Sequence, residues 1–122
     1  MSLRVTTSKV EPDIVVLHFC GTMTIGPETH ALEWLLRRLL RRGETKLIFD
    51  LAGIDQIDAE AALFIVRCFF VVRAAGGELR FAGASPDLIR PFKRTMLDTL
   101  FLFDPTVGAA CEHFTDGAKT PG

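Results

Sequence analysis

Four carboxylate side chains stand close together in the middle of the chain: Asp50, Asp55, Asp58 and Glu60. Carboxylate oxygens at this spacing could hold a hard cation such as Mg²⁺ or Ca²⁺, or supply the acid and the base of a general acid–base pair. Short acidic residues also end strands, form turns and cap helices. Asp58 directly precedes a long stretch without glycine or proline, which indicates a helix N-cap. We therefore favour structural roles for these carboxylates and expect no catalytic residue, no bound metal and no cofactor.

The other residues with catalytic potential do not form a recognisable motif. The histidines, His18, His30 and His113, lie far apart and have no nucleophile or metal ligand at a characteristic spacing. Gly76 and Gly77 follow a predicted helix and precede a predicted strand, where glycine ends a helix rather than cradling a phosphate. The sequence therefore favours a binding protein over an enzyme.

The carboxylates lie within a predicted strand-helix-strand unit, residues 46–83. A short apolar strand over residues 46–51 leads through an acidic turn to an apolar helix after Asp58, and a second strand covers residues 78–82. Residues 4–10 and 14–20 are β-prone runs at hairpin spacing, and a leucine-rich helix fills residues 27–42. Because strands and helices alternate after the hairpin, we predict an α/β fold with a mixed sheet of four or five strands.

The last third of the chain is predicted to complete this sheet. Ser85 and Pro86 mark a helix start, and Pro91 should kink or restart that helix. A short edge strand is predicted over residues 100–103, followed by a last helix that ends at Phe114. Residues 115–122 are small and polar and are expected to be disordered. We therefore predict one domain, residues 1–114, and a tail.

The composition is typical of a globular domain. The chain has 122 residues, of which 48% are hydrophobic and 24% charged, and a net charge of −1. It has no bulk attraction for nucleic acid or anionic lipid. The start of the chain has no apolar signal-like segment, and no apolar stretch is long enough to span a bilayer. We expect a cytoplasmic protein with buried thiols that binds neither nucleic acid nor membranes.

Two helices have outer faces that indicate a partner. Trp34 lies opposite the leucine stripe of the first helix and is predicted to be exposed or covered by another subunit. The arginines beside it are interpreted as a solvated face, with Glu33 paired to Arg37. Phe64 and Arg67 lie on the only charged stripe of the second helix. We predict that both are partner-facing, and the alternative is that the chain's own last helix covers them.

The central unit resembles the core motif of STAS domains, the anti-sigma factor antagonist family. The resemblance rests on Asp50 and Leu51, the acidic segment over residues 54–63, and Gly76 and Gly77 after the helix. It implies a STAS-like sheet with helices mainly on one face. It also implies a non-catalytic protein that docks a histidine-kinase-like anti-sigma factor at the start of the second helix.

The family motif at this helix start is Asp-Ser-Ser-Gly, and the partner kinase phosphorylates its second serine. The present chain reads Asp58-Ala59-Glu60-Ala61, so the resemblance implies that Glu60 replaces the phosphorylated residue. Glutamate has less charge and fewer acceptor oxygens than phosphoserine, which carries about −1.5 to −2. The resemblance leaves two alternatives: either Glu60 holds the protein in a phosphorylated-like state of low affinity, or the protein has diverged toward constitutive binding of another partner. Thr24, in a loop expected near Asp58, is the first alternative phosphoacceptor.

A self-associating scaffold is the alternative function. STAS modules occur in larger signalling assemblies, so the resemblance also allows a homo-oligomer without a kinase partner. Trp34 or the Phe64 stripe would then contact a second copy of the chain. The predicted partner-binding residues are Thr24, Trp34, Asp58, Glu60, Phe64 and Arg67.

Overall fold

Strands and helices alternate along residues 3–94 and 103–119, the part of the chain that the computed structural model describes. In chain order the elements are β1 (Arg4–Val10), β2 (Ile14–Met23), α1 (Pro27–Arg41), β3 (Lys46–Ile57), α2 (Ala59–Ala74), β4 (Glu78–Ala82), α3 (Pro86–Arg94), β5 (Phe103–Asp104) and α4 (Val107–Lys119). The strands form one sheet in the order β1-β2-β3-β4-β5. β1 is antiparallel to β2, and the other neighbours are parallel. The predicted α/β fold with a mixed sheet is confirmed.

The sheet separates two cores of unequal size. Leu17 and Leu47 belong to the larger core, which also contains the buried side chains of α1, α2 and α3. Val16 and Ile48 point to the opposite face, because successive strand residues alternate, and pack there with Phe114 of α4. Three helices thus lie on one face and one on the other, in agreement with the expectation from the resemblance.

The first two helices are built as predicted. Leu32 and Leu36 of α1 are buried in the larger core, and the remaining leucines of the stripe pack at its border: Leu35, Leu39 and Leu40. Gly43 and Gly76, which follow α1 and α2, both have φ near +83°. This left-handed conformation favours glycine, so both residues end their helices. No helix in the described ranges has both the length and the apolar character needed to cross a bilayer.

β2 and β3 are longer than predicted. β2 continues to Met23 and β3 to Ile57, so residues 52–57 are strand rather than an acidic turn. The two strands stay paired through a register shift at which Gly53 lies opposite Cys20. A Cβ atom on Gly53 would lie 2.5 Å from the carbonyl oxygen of Phe19, so only glycine fits this close approach. The extension carries the chain directly to the start of α2.

The C-terminal third differs from the prediction at three points. α3 continues through Pro91 without a restart. β5 contains Phe103 and Asp104, and residues 100–102 of the predicted strand lie outside the described residues. α4 extends to Lys119 and therefore into the predicted tail, beyond the expected end at Phe114.

The cysteines are not uniformly buried, contrary to the prediction. Cys68 of α2 is 1% exposed, whereas Cys20 of β2 is exposed and Cys111 of α4 is half-buried. Cys20 is exposed because it lies beyond the part of its sheet face that belongs to the smaller core.

Candidate functional site

Asp58 caps α2, as predicted. Its backbone is extended, with φ −90° and ψ 173°, and its Oδ1 accepts a hydrogen bond of 2.8 Å from the backbone N–H of Ala61. Its carbonyl oxygen accepts the N–H of Ala62. The side-chain bond satisfies a donor that the first helical turn would otherwise leave without a partner, and the carbonyl bond is the first regular bond of the helix. The side chain of Asp58 therefore fixes where α2 begins.

A shallow groove of about 400 Å³ lies beside this cap, at the carboxyl ends of β2 and β3 and the start of α3. We call it the acidic groove and define it by Thr24, Asp55, Asp58 and Asp87, which are all exposed. The loop hydroxyl of Thr24 thus shares a groove with Asp58, as the sequence predicts. Asp87 pairs with Arg90 at 2.8 Å, so the groove and this arginine together carry a net charge of −2.

Ala59 and Glu60 are both exposed in the first turn of α2. The positive end of the helix dipole lies there and favours a negative group. A carboxylate or a phosphate at position 60 would therefore be stabilised by the helix while staying accessible to a partner. The structure thus places an exposed carboxylate in the first turn of α2.

The four carboxylates do not form one cluster. Asp55 and Asp58 share the acidic groove, whereas Asp50 binds His18 Nδ1 at 2.8 Å and accepts the N–H of Ala52 at 3.1 Å. Within the described residues, no group of three or more His, Cys, Asp or Glu side chains is arranged to hold a metal ion. The site therefore consists of separate acidic side chains at helix and strand ends.

Sequence reasoning missed a second polar constellation on β1, β2 and β3. His18 Nε2 lies 2.8 Å from Ser8 Oγ, and His18 Nδ1 lies 2.8 Å from Asp50 Oδ2. The order Ser-His-Asp is that of an activated serine nucleophile. Only the strand register could have revealed it, because Thr6, His18 and Asp50 lie side by side across the three strands.

Phe64 is not partner-facing, and the prediction for it is wrong. Its side chain is 8% exposed and belongs to the larger core. Leu63 and Phe70 of α2 are 65% and 51% exposed instead, and they flank Arg67, whose side chain is 62% exposed. The buried arc of α2 is wide because the helix packs on the sheet and beside α1, and it includes the position of Phe64. The last helix does not cover this face, since α4 lies on the opposite side of the sheet.

Trp34 is 71% exposed on the outer side of α1, as predicted. The neighbouring Glu33 accepts hydrogen bonds from Arg37 of α1 at 3.1 Å and from Arg67 of α2 at 3.2 Å. The first bond is the predicted pair, and the second joins the two helices. Trp34, Arg37 and Arg67 therefore lie on one surface. Asp58 and Glu60 lie at the start of α2, and Thr24 lies in the loop after β2, in the groove beside Asp58.

Comparison with known families and structures agrees with this fold. A family model described as STAS domain matches residues 6–110, and comparison with curated proteins found no match. A Thermotoga maritima protein, provisionally described as an anti-sigma factor antagonist, superposes with a TM-score of 0.79 at 22% identity, over 89% of this chain and 92% of the other. An anti-sigma factor antagonist from Mycobacterium paratuberculosis gives a TM-score of 0.78 at 18% identity, over 92% and 93%.

A third similar structure is an RsbS variant from Moorella thermoacetica with a serine replaced by glutamate. It gives a TM-score of 0.79 at 16% identity and covers 96% of this chain and 99% of its own. At such identities the structures show a shared fold. The family model spans most of the chain, and the strand order and helix placement agree with it, so the chain belongs to the STAS domain family.

Proposed function

We propose that the chain is a binding module that docks a histidine-kinase-like anti-sigma factor through the acidic groove and the first turn of α2. The observation that carries this proposal is the exposed Glu60 two residues after the Asp58 cap, with Thr24 in the adjoining groove. The similar structures from Thermotoga and Mycobacterium, which are described as anti-sigma factor antagonists, support the same role.

In this proposal, position 60 is not a phosphorylation switch. Glutamate cannot be stably phosphorylated by ATP. Glu60 supplies a permanent negative charge at the helix start, smaller than the charge of about −1.5 to −2 on phosphoserine. The protein would therefore bind its partner with part of the negative charge that a phosphoserine at position 60 would carry. If a switch remains, Thr24 is the hydroxyl we expect to carry it.

The module is proposed to have no catalytic activity. Ser8, His18 and Asp50 have the connectivity of a hydrolase triad, but Ser8 is exposed on the edge strand β1 and the His18 side chain is 38% exposed. Acyl transfer needs donors preorganised around the developing oxyanion in a site that excludes water. The three residues instead tie β1 to β2 and β3. Wild-type chain should hydrolyse p-nitrophenyl acetate no faster than the Ser8→Ala variant, and faster hydrolysis would contradict this assignment.

The docking proposal is tested with the histidine-kinase-like anti-sigma factors of the protein's own source. The chain is mixed with each of them, with and without ATP, and native mass spectrometry records complexes and added phosphate. We expect a complex without phosphate on position 60 for the wild type, and one added phosphate on that position for Glu60→Ser. Glu60→Ala separates loss of charge from gain of a hydroxyl, and Glu11→Ala in the β1–β2 turn is a charge control.

Two results would overturn this proposal. One is that none of these anti-sigma factors binds either the wild type or Glu60→Ser. The other is that Glu60→Ser binds but is never phosphorylated, which would show that position 60 is not the switch position. Phosphate on Thr24 of the wild type would retain the docking role and move the switch.

A self-associating scaffold is the second candidate function. The exposure of Trp34, Leu63 and Phe70 on the outer helical face favours it, since monomeric proteins rarely expose several large apolar side chains together. A similar solved structure is described as the molecular architecture of the stressosome, a signal integration and transduction hub; it gives a TM-score of 0.72 at 15% identity and covers 94% of this chain.

A further inference from the structure

The outer face of α1 and α2 forms a basic and partly apolar surface. We call it the arginine surface, and its members are Trp34, Arg37 and Arg41 of α1 and Leu63, Arg67 and Phe70 of α2. All six side chains are exposed. Glu33 lies between the helices and holds the guanidinium groups of Arg37 and Arg67 in place. Including Glu33, the surface has a net charge of +2, although the whole chain has a net charge of −1.

The acidic groove has the complementary composition. It carries a net charge of −2 when Arg90 is included, and the side chain of Asp87 is 83% exposed. Ile25, which follows Thr24 of the groove in sequence, is an exposed apolar residue, with 41% of its surface accessible. One molecule therefore presents both an acidic and a basic recognition surface, each with exposed apolar side chains.

We propose that these two surfaces bind each other on neighbouring copies of the chain, so that the acidic groove of one copy sits on the arginine surface of the next. Carboxylates of the groove would pair with the guanidinium groups, which suit carboxylates because they offer several N–H donors in a fixed plane. Ile25 would contact the exposed apolar side chains among the arginines. A second copy is the occupant that the charges of this chain favour.

A symmetric pairing of two arginine surfaces is disfavoured by the same charges. In a twofold dimer whose axis passes through the arginine surface, two surfaces of +2 would meet. Like charges placed opposite each other at an interface disfavour association. Pairing of two acidic grooves meets the same obstacle. The charges attract only when the acidic groove of one copy meets the arginine surface of another.

The two surfaces can be occupied at the same time. Asp58 lies at the start of α2 and Phe70 twelve positions later, which corresponds to about 18 Å along the helix. A single contact between unlike surfaces leaves one free surface on each copy. These two surfaces close a dimer if the copies are related by a twofold axis, and otherwise association continues into a ring or an open chain. Because Asp58 and Thr24 lie in the groove, each contact would also cover the proposed kinase site. Only this competition rests on the proposed function, since self-association needs no kinase.

Two charge-reversed variants test the proposal. Arg41→Glu with Leu63→Glu changes the arginine surface from +2 to −1, and both side chains are exposed with no part in the Glu33 bridge. Thr24→Lys with Asp55→Lys changes the groove from −2 to +1 and leaves the Asp58 cap intact. Arg4→Glu with Glu11→Lys is the matched control, since both residues are exposed on or after β1.

Sedimentation velocity is measured over increasing protein concentration without any anti-sigma factor. The wild type and the control should associate further as concentration rises, and each reversed variant alone should associate at least about tenfold more weakly. An equimolar mixture of the two reversed variants should associate again, because the intact groove of one variant can meet the intact arginine surface of the other, and their two reversed surfaces also have opposite charges. Added salt should weaken all of these complexes.

Several outcomes would overturn the proposal. They are a wild type that stays monomeric throughout, a reversed variant that associates as well as the wild type, and folded variants whose mixture does not associate. If a reversed variant fails to fold, Arg41→Gln and Asp55→Asn replace it, and each must weaken association relative to the wild type. Because no anti-sigma factor is present, failure of kinase docking would leave these results unchanged.

Discussion

At the scale of single residues, Asp58 connects the stability of α2 with the candidate docking site. Its Oδ1 accepts the Ala61 N–H at 2.8 Å, and removing such a cap typically costs about 1 kcal/mol. We expect Asp58→Ala to lower the free energy of unfolding by about that amount in urea titrations. Asp58→Asn keeps an acceptor oxygen and should lose less, and Asp55→Ala should change stability little. Equal stability of Asp58→Ala and wild type would contradict the capping role.

Cys68 supplies a prediction about pH. Burial, with a smaller contribution from the Glu33 carboxylate, raises the pKa of the Cys68 thiol from 9.0 to about 12. The unfolded chain therefore loses this proton first as the pH rises above 9, so the neutral thiol contributes stability below pH 9 that is lost between pH 9 and 12. The free energy of unfolding of Cys68→Ala should approach that of the wild type between pH 8 and pH 10.5. A constant difference between the two would contradict the pKa shift.

Some site residues could be predicted from the sequence and others could not. The Asp58 cap depends on the next few residues, so local reasoning found it. Phe64 was placed on the wrong face because α2 is apolar nearly all round, and its sequence alone does not fix which arc faces the sheet. The link from Ser8 through His18 to Asp50 depends on strand register, which hydrophobic patterning does not provide.

At the scale of elements, the two-residue strand β5 is held by a buried ion pair. Arg80 of β4 donates from Nε to Asp104 Oδ2 at 2.9 Å, and their side chains are 11% and 3% exposed. Arg80 also donates to Glu78 at 3.1 Å, lies over the ring of Phe114, and has the His113 ring within hydrogen-bond distance. The group therefore joins β4, β5 and α4.

Asp104→Ala should be strongly destabilising, because it leaves the buried Arg80 guanidinium without its principal carboxylate. Breaking one partner of such a pair costs about 3 to 5 kcal/mol. Glu78→Ala removes a carboxylate that is 48% exposed and should cost much less. Urea titrations of both variants against wild type would measure the difference. Similar losses for the two variants would show that Asp104 is not the main anchor of β5.

Element types were predictable where patterns are regular. The leucine spacing gives α1, and the hairpin spacing gives β1 and β2. The sequence pattern underestimates the length of β3 because Gly53 is typical of a turn, whereas here it permits a close approach between paired strands. α4 was ended too early because small polar residues were interpreted as a tail, although they continue the helix.

At the scale of the whole molecule, β2 shows why a helix must cover the second face of the sheet. Residues 14–17 are all buried, and in a strand such a run requires both faces to be covered. Three helices cover one face, and α4 covers the other over Val16 and Ile48. The sequence contains this requirement but does not say which helix satisfies it. Likewise, the arginine surface forms only when α1 and α2 lie side by side, and its distance from the acidic groove cannot be read from the sequence.

The fluorescence of Trp34 can report whether the arginine surface is covered, since Trp34 is the only tryptophan in the chain and there is no tyrosine. Its indole is 71% exposed within the arginine surface, so in dilute wild-type protein its fluorescence should be readily quenched by acrylamide. Head-to-tail association should lower this quenching and shift the emission to shorter wavelength as the protein concentration rises. Thr24→Lys with Asp55→Lys should move both changes to at least about tenfold higher protein concentration, although neither substitution lies in α1. Equal concentration dependence in this variant and the wild type would mean that Trp34 is covered by something other than the acidic groove.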